Sequence, residues 1–159
     1  MPETAVTQDN AHGEKYLIFS IFGRNYAFPA QIIGEVANCD PLYTLPLLPP
    51  HVLGFINRYS IPHALLDTGF LLSQKPGPRN EALVIIGSID RVAFSIERVT
   101  GIADIAPDKL RDVGTQTADT LSGSDTLSST VYTSFTWDGN DVYVLDVRRL
   151  LARVADEAM

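Results

Sequence analysis

The sequence predicts a mainly β protein: two small five-stranded antiparallel β-barrels related by internal duplication, with short capping helices and a C-terminal helix. Three observations carry this. Short runs of aromatic and β-branched residues alternate with turn signals along most of the 159 residues, the pattern of strands joined in hairpins. A Leu-Asp-x-x-x-Leu-Leu motif occurs twice, at Leu66-Asp67 and Leu145-Asp146, with the two aspartates 146 − 67 = 79 residues apart, half of the chain. Finally, each half holds five short strands, and a sheet that small protects its edges best by curling on itself.

The elements follow in order. Residues 1–14 have almost no apolar content and read as a loose tail. Residues 16–22 and 26–28 flank Gly23-Arg24-Asn25 as a hairpin, and the apolar stretch 32–36 adds a single strand. Pro46, Pro49 and Pro50 then interrupt any strand, since proline lacks a ladder donor. A second hairpin joins 52–57 to 61–66 through Arg58-Tyr59-Ser60, and Asp67 caps a helical turn running to Leu72. Residues 73–81 form a turn-rich connector, dividing a first barrel (15–72) from a second (82–159).

Beyond the connector the same elements return: a hairpin of 82–87 and 91–96 around 88–90, then a strand at 99–105. Residues 114–134 are crowded with Ser and Thr and read as a long flexible loop. Strands at 135–137 and 142–145 flank Asp138-Gly139-Asn140, the strongest tight-turn signal in the chain. Asp146 caps a terminal helix that gathers Leu150, Leu151 and Val154 on one face. In both copies the capping Asp lies at the same distance after a turn, and Tyr26-Ala27-Phe28 aligns with Val92-Ala93-Phe94.

Charge and composition exclude several functions. The net charge is −7 with 45% hydrophobic residues, so the chain lacks the basic stripe that nucleic acid or an anionic membrane surface requires. No apolar run approaches the ~20 residues of a membrane helix, and the start does not resemble a signal peptide. A single cysteine, Cys39, forms no internal disulfide and points to a reducing, cytoplasmic setting.

Catalytic patterns are missing as well. Cys39 with His51 or His63 is the first candidate, but neighbouring Asp40 disfavours a thiolate, and a small apolar residue at a strand end is the better reading. His63 and Asp67 share a strand face about 13 Å apart, too far for a base and its orienting group. The three histidines lack metal-ligand spacing, the glycines are dispersed, and Ser122-Gly123-Ser124 has no strand–turn–helix context. No catalytic residue, metal or cofactor is expected. Protein binding is the natural role, at sheet edges or along the seam between the barrels. The alternative is a small-ligand sensor or enzyme that uses the inter-barrel groove near His63.

At this point the sequence resembles the CheW-like domain family, the coupling proteins of bacterial chemosensory systems. The residues that carry the resemblance are Tyr26-Ala27-Phe28, Ile33-Gly34-Glu35-Val36, Leu45-Pro46, the run from Pro49 to Asn57, Leu65-Leu66-Asp67, residues 82–105 and Val144-Leu145-Asp146. The resemblance implies two five-stranded barrels around an apolar seam. It also implies a non-catalytic adaptor that bridges a CheA-type histidine kinase to the cytoplasmic tip of a methyl-accepting chemoreceptor. It puts Ile33, Glu35 and Gly54 where the first barrel meets partners, and Asn57 in the family's turn motif. That turn commonly reads Asn-Leu-Arg-Gly; here it reads Asn57-Arg58-Tyr59-Ser60. If the family arginine pairs with the acid at Glu35, the pairing is lost or re-routed, because strand parity aims Arg58 at the opposite face unless the turn is irregular. The missing glycine also opposes a positive φ. This departure implies a divergent paralogue, one version being an array-modulating protein that binds kinase but not receptor.

Overall fold

The computed structural model describes residues 13–86, 91–112 and 131–158. The tail expected before residue 13, the turn at 88–90 and most of the Ser/Thr-rich stretch lie outside them. The strands are β1 (Glu14–Ile21), β2 (Arg24–Pro29), β3 (Ile33–Asn38), β4 (Val52–Arg58), β5 (Ile61–Leu66), β6 (Glu81–Ile85), β7 (Val92–Ile96), β8 (Arg98–Ile105), β9 (Arg111–Asp112), β10 (Val131–Trp137) and β11 (Asn140–Leu145). Two α-helices, α1 (Thr68–Ser73) and α2 (Val147–Ala158), follow β5 and β11. Each starts where a capping aspartate was expected. The Asp67 carboxylate accepts from the Phe70 N–H at 3.0 Å, and the Asp146 carboxylate accepts from the Arg148 N–H at 2.9 Å.

The strands form a six-stranded sheet, β8-β1-β2-β11-β10-β9, and a five-stranded sheet, β3-β6-β7-β5-β4. This corrects three expectations. Neither sheet is a closed barrel: among the described residues no ladder joins β3 to β4 or β8 to β10. The sheets are mixed, because β2 runs parallel to β11 and β5 runs parallel to β7. Each sheet also draws strands from both sides of the 73–81 connector, so the sheets do not follow the halves 15–72 and 82–159.

The physical reason is interleaving. Hairpins pair locally and antiparallel, but each sheet combines one half's first hairpin with the other half's single strand and second hairpin. Strands from different halves then meet in parallel at β2–β11 and β5–β7, and antiparallel at β1–β8 and β3–β6. The registers repeat strictly. Val92-Ala93 pair with Ala64-Leu65, and Tyr26-Ala27 pair with Tyr143-Val144. Val36 pairs with Leu83 as Ile102 pairs with Leu17. The spacing is 92 − 26 = 66 residues across the first three strands and 143 − 64 = 79 across the last two. Even the register breaks correspond, at Gly34 and Thr100, and again at Leu53 and Tyr132.

Three apolar clusters hold the molecule together. The largest takes Phe19, Phe28, Leu66, Leu71, Leu83, Phe94, Leu145 and Leu150 from both sheets and both helices, and forms the seam between the sheets. A second lies within the six-stranded sheet, around Ile18, Phe135 and Val142. The third lies within the five-stranded sheet, where Ala37, Ile56, Leu65, Val84 and Ala93 come from all five strands. A single cluster that takes residues from both edge strands, Ala37 on β3 and Ile56 on β4, requires the sheet to curl. Burial of each large seam side chain contributes roughly 1.5–3 kcal/mol. The seam is therefore a filled core, not an exposed groove. His63 is not in it: it pairs with Ile56 on the opposite face of β5, with its Nδ1 3.0 Å from the Ile61 carbonyl oxygen. The ligand groove considered at this place is occupied by side chains.

Candidate functional site

Glu35, Arg58 and Tyr59 come together at the open mouth of the five-stranded sheet. Two local devices arrange them. On β3 the register shifts between Ile33 and Glu35, so Ile33 pairs with Ile85 and Glu35 with Val84. Ile85 faces the seam and Val84 faces the concave interior. The bulge thus sends Ile33 and Glu35, which share parity in sequence, to opposite faces. On β4, Gly54, Ile56 and Arg58 share one face, and Ile56 belongs to the concave cluster. Arg58 therefore points toward Glu35 with no irregularity in its own strand.

The guanidinium engages the carboxylate through two hydrogen bonds. Arg58 Nε donates to Glu35 Oε1 at 3.0 Å, and Arg58 Nη2 donates to Glu35 Oε2. The hydrogen bonds that this carboxylate accepts hold the arginine further in its charged form than usual. β3 and β4 are the two edges of one sheet, so this bidentate pair fastens them where no backbone ladder does. The expectation that Arg58 faces away from Glu35 is corrected: the pairing is re-routed to it, because the β3 bulge turns Glu35 inward.

Tyr59 and Ser60 form the turn between β4 and β5 with φ of 54° and 64°, both left-handed despite the absence of glycine. Tyr59 is 83% exposed, and the Arg58 guanidinium carbon lies 5.5 Å from its ring centroid. Charge and ring thus form one unit: Glu35 fixes Arg58, and Arg58 lies against one face of an aromatic held in solvent.

The other expected residues lie elsewhere. Ile33 packs against the seam. Asn57 is exposed on the face of β4 opposite Arg58. Gly54 has φ of 152°, and a Cβ there would sit 2.5 Å from the Tyr43 carbonyl oxygen. It allows residues 40–45 to strap across β4, where Tyr43 N–H donates to Phe55 O and Phe55 N–H to Tyr43 O. Beyond this strap Leu45 is 57% exposed and Leu47 fully exposed.

Reading the residues one by one missed a second fastener. The 66- and 79-residue spacings carry Glu35 to Gly101 and Arg58 to Trp137. The Trp137 indole lies directly on Gly101, so that a Cβ there would meet Cη2 at 2.8 Å and Cζ2 at 2.9 Å. Applying both spacings to the sequence would have exposed this pair.

Cys39 is buried, and desolvation, helped by the Asp40 charge, pushes its thiol up to about 11. Such a thiol is a poor nucleophile at neutral pH. Among the described residues, no three His, Cys, Asp or Glu side chains could hold a metal ion, and no helix is long and apolar enough to cross a membrane.

Comparison with known proteins bears on the family and the fold. The CheW-like domain model matches residues 15–155. No curated protein matches the chain. Among solved structures, the scaffolding protein TtCheW from Thermoanaerobacter tengcongensis superposes with a TM-score of 0.70 at 14% identity, over 84% of this chain and 89% of that one.

Proposed function

The chain belongs to the CheW-like domain family, and from that membership we propose that it is a non-catalytic cytoplasmic adaptor coupling a CheA-type histidine kinase to the cytoplasmic tip of a methyl-accepting chemoreceptor. One observation carries the assignment of its contact surface. Tyr59 occupies a left-handed turn position that costs an aromatic residue stability, while its ring stays in solvent. Folding gains little from that arrangement beyond the ring's contact with Arg58. A partner does, because a rigid exposed tyrosine backed by an arginine is the composition of an interface hot spot. Ile33, Gly54 and Asn57 serve this surface indirectly: Ile33 anchors β3 to the core, Gly54 seats the strap, and Asn57 flanks the turn.

Purified chain titrated with the regulatory region of a CheA-type kinase, and separately with a receptor cytoplasmic fragment, tests the reading. Binding to both, lost at least about tenfold in Tyr59→Ala, is expected, a factor that corresponds to about 1.4 kcal/mol. Absence of binding to either at tens of micromolar overturns it.

The Tyr59-Ser60 turn favours a second reading, an array-modulating paralogue that engages kinase but not receptor. Here Tyr59→Arg with Ser60→Gly would confer receptor binding that the natural chain lacks. A natural chain that already binds receptor tightly excludes this version.

A further inference from the structure

The two sheets follow one register pattern, yet their open sides are fastened by different chemistry. In the five-stranded sheet, β3 and β4 are joined by the Glu35–Arg58 ion pair, whose side chains are 23% and 34% exposed. In the six-stranded sheet, the corresponding positions on β8 and β10 are Gly101 and Trp137, joined by an indole lying on a bare backbone. Both pairs point to the concave side. Glu35 is opposite Val84 and Gly101 opposite Ile18, each a member of its sheet's interior cluster.

From this contrast we infer that the fold contains one fixed fastener, Trp137 on Gly101, and one releasable fastener, Glu35–Arg58, so that the five-stranded sheet is the half that opens. The argument is physical. An indole on a glycine closes a seam by excluded water and dispersion, neither of which salt weakens. The indole itself packs against the cluster that holds Phe135 and Val142, whereas Glu35 and Arg58 add no apolar side chain to the cluster they adjoin. A partly exposed ion pair is screened by counter-ions and exchanges its partner for water at small cost. Releasing it parts β3 from β4 without disturbing the seam, because Ile33 remains packed there. The opened edge would present the unpaired side of β3, whose Val36 is already 41% exposed.

Amide hydrogen exchange on the full chain, at low salt and near 1 M NaCl, tests the inference without any partner, so its outcome is independent of the proposed coupling role. Screening shortens from about 10 Å at 0.1 M to about 3 Å at 1 M, and β3 and β4 amides should exchange about three- to fivefold faster in high salt, with β8 and β10 changing less than twofold. Transplanting the fixed fastener as Glu35→Gly with Arg58→Trp should remove the salt response of β3 and β4. Glu35→Gln, an isostere that keeps the fold, should make their exchange fast at both salts. Gly101→Ala, whose Cβ would sit 2.8 Å from the indole, should instead loosen β8 and β10 and shift the emission of the chain's one tryptophan to the red. An equal salt response in both sheets, or a salt response that survives in Glu35→Gln, overturns the inference.

Discussion

The described hairpins at Phe22-Gly23, Tyr59-Ser60 and Asp138-Gly139 all turn through two left-handed residues, with φ of 54° and 75°, 54° and 64°, and 53° and 78°. Two of them place glycine second; one places Ser60 there. A matched pair of substitutions, Ser60→Gly and Gly139→Ser, should therefore change stability by similar amounts in opposite directions. The magnitude follows from the backbone alone, since a Cβ built at Gly139 meets nothing within 4 Å. A left-handed non-glycine residue costs about 1–2 kcal/mol. Glycine in the unfolded chain gives back about 0.4–1 kcal/mol through its greater freedom. The net is about 0.5–1 kcal/mol: a gain for Ser60→Gly and a loss for Gly139→Ser. For a domain of this size that is a shift of roughly 1–4 °C in Tm, or a matching shift in the urea midpoint at unchanged m. The reasoning fails if Ser60→Gly is destabilising, because strain at that turn would then not be what the φ angles imply. Ser60→Gly should also leave partner binding intact, since it relaxes the turn without moving the Tyr59 ring.

Three further outcomes follow. Asp67→Ala removes the acceptor of the Phe70 N–H and of the Gly77 N–H, which lies 3.1 and 3.2 Å from the two carboxylate oxygens; urea unfolding should show a loss of about 2 kcal/mol, against about 1 for Asp146→Ala, where the capping contact is more exposed. Cys39, with its thiol held near 11 against 9.0 when free, should alkylate about a hundredfold more slowly in the native state than unfolded; the folded group keeps its proton longer, so its contribution is present below pH 9 and is lost as pH rises toward 11, a decline that Cys39→Ala should lack. Residues 1–80 and 81–159 expressed separately should show no cooperative unfolding by circular dichroism and should regain it when mixed, because each sheet needs strands from both; cooperative folding of either fragment alone would refute the interleaving.

What the sequence disclosed, and what it concealed, follows the range of the forces involved. Strands, turns and capped helices were readable because alternation, Asp-Gly dipeptides and capping aspartates act over a few residues. The repeated Leu-Asp motif also announced a correspondence between the halves. Which strand joins which sheet was not readable, because β2–β11 and β5–β7 pair across halves and leave no local mark. The same limit explains the error at Arg58. Whether Glu35 faces it depends on the register break after Ile33, and a bulge shows only when the partner strand β6 is in place. Tyr59-Ser60 misled in the other direction: poor turn residues nonetheless adopt a left-handed turn, because the flanking β4–β5 ladder over-determines it.

Interleaving also explains why two open sheets suffice where closed barrels were expected. An open five-stranded sheet exposes two edges that invite pairing with other chains. Here curling brings β3 near β4 and β8 near β10, and one side-chain contact spans each gap: Arg58 with Glu35, and the Trp137 indole on the Gly101 backbone. Closure by side chains leaves backbone groups less committed than a ladder would, and lets the two sheets differ in how firmly they close. Both still pack on one seam, with Phe28 of β2 and Phe94 of β7 at 5.4 Å between ring centroids. A common rigid core with one tight and one loosely fastened sheet lets one sheet adjust while the other stays fixed. A scaffold that adjusts to what it binds without loosening its core needs that division, and this arrangement supplies it within one continuous core.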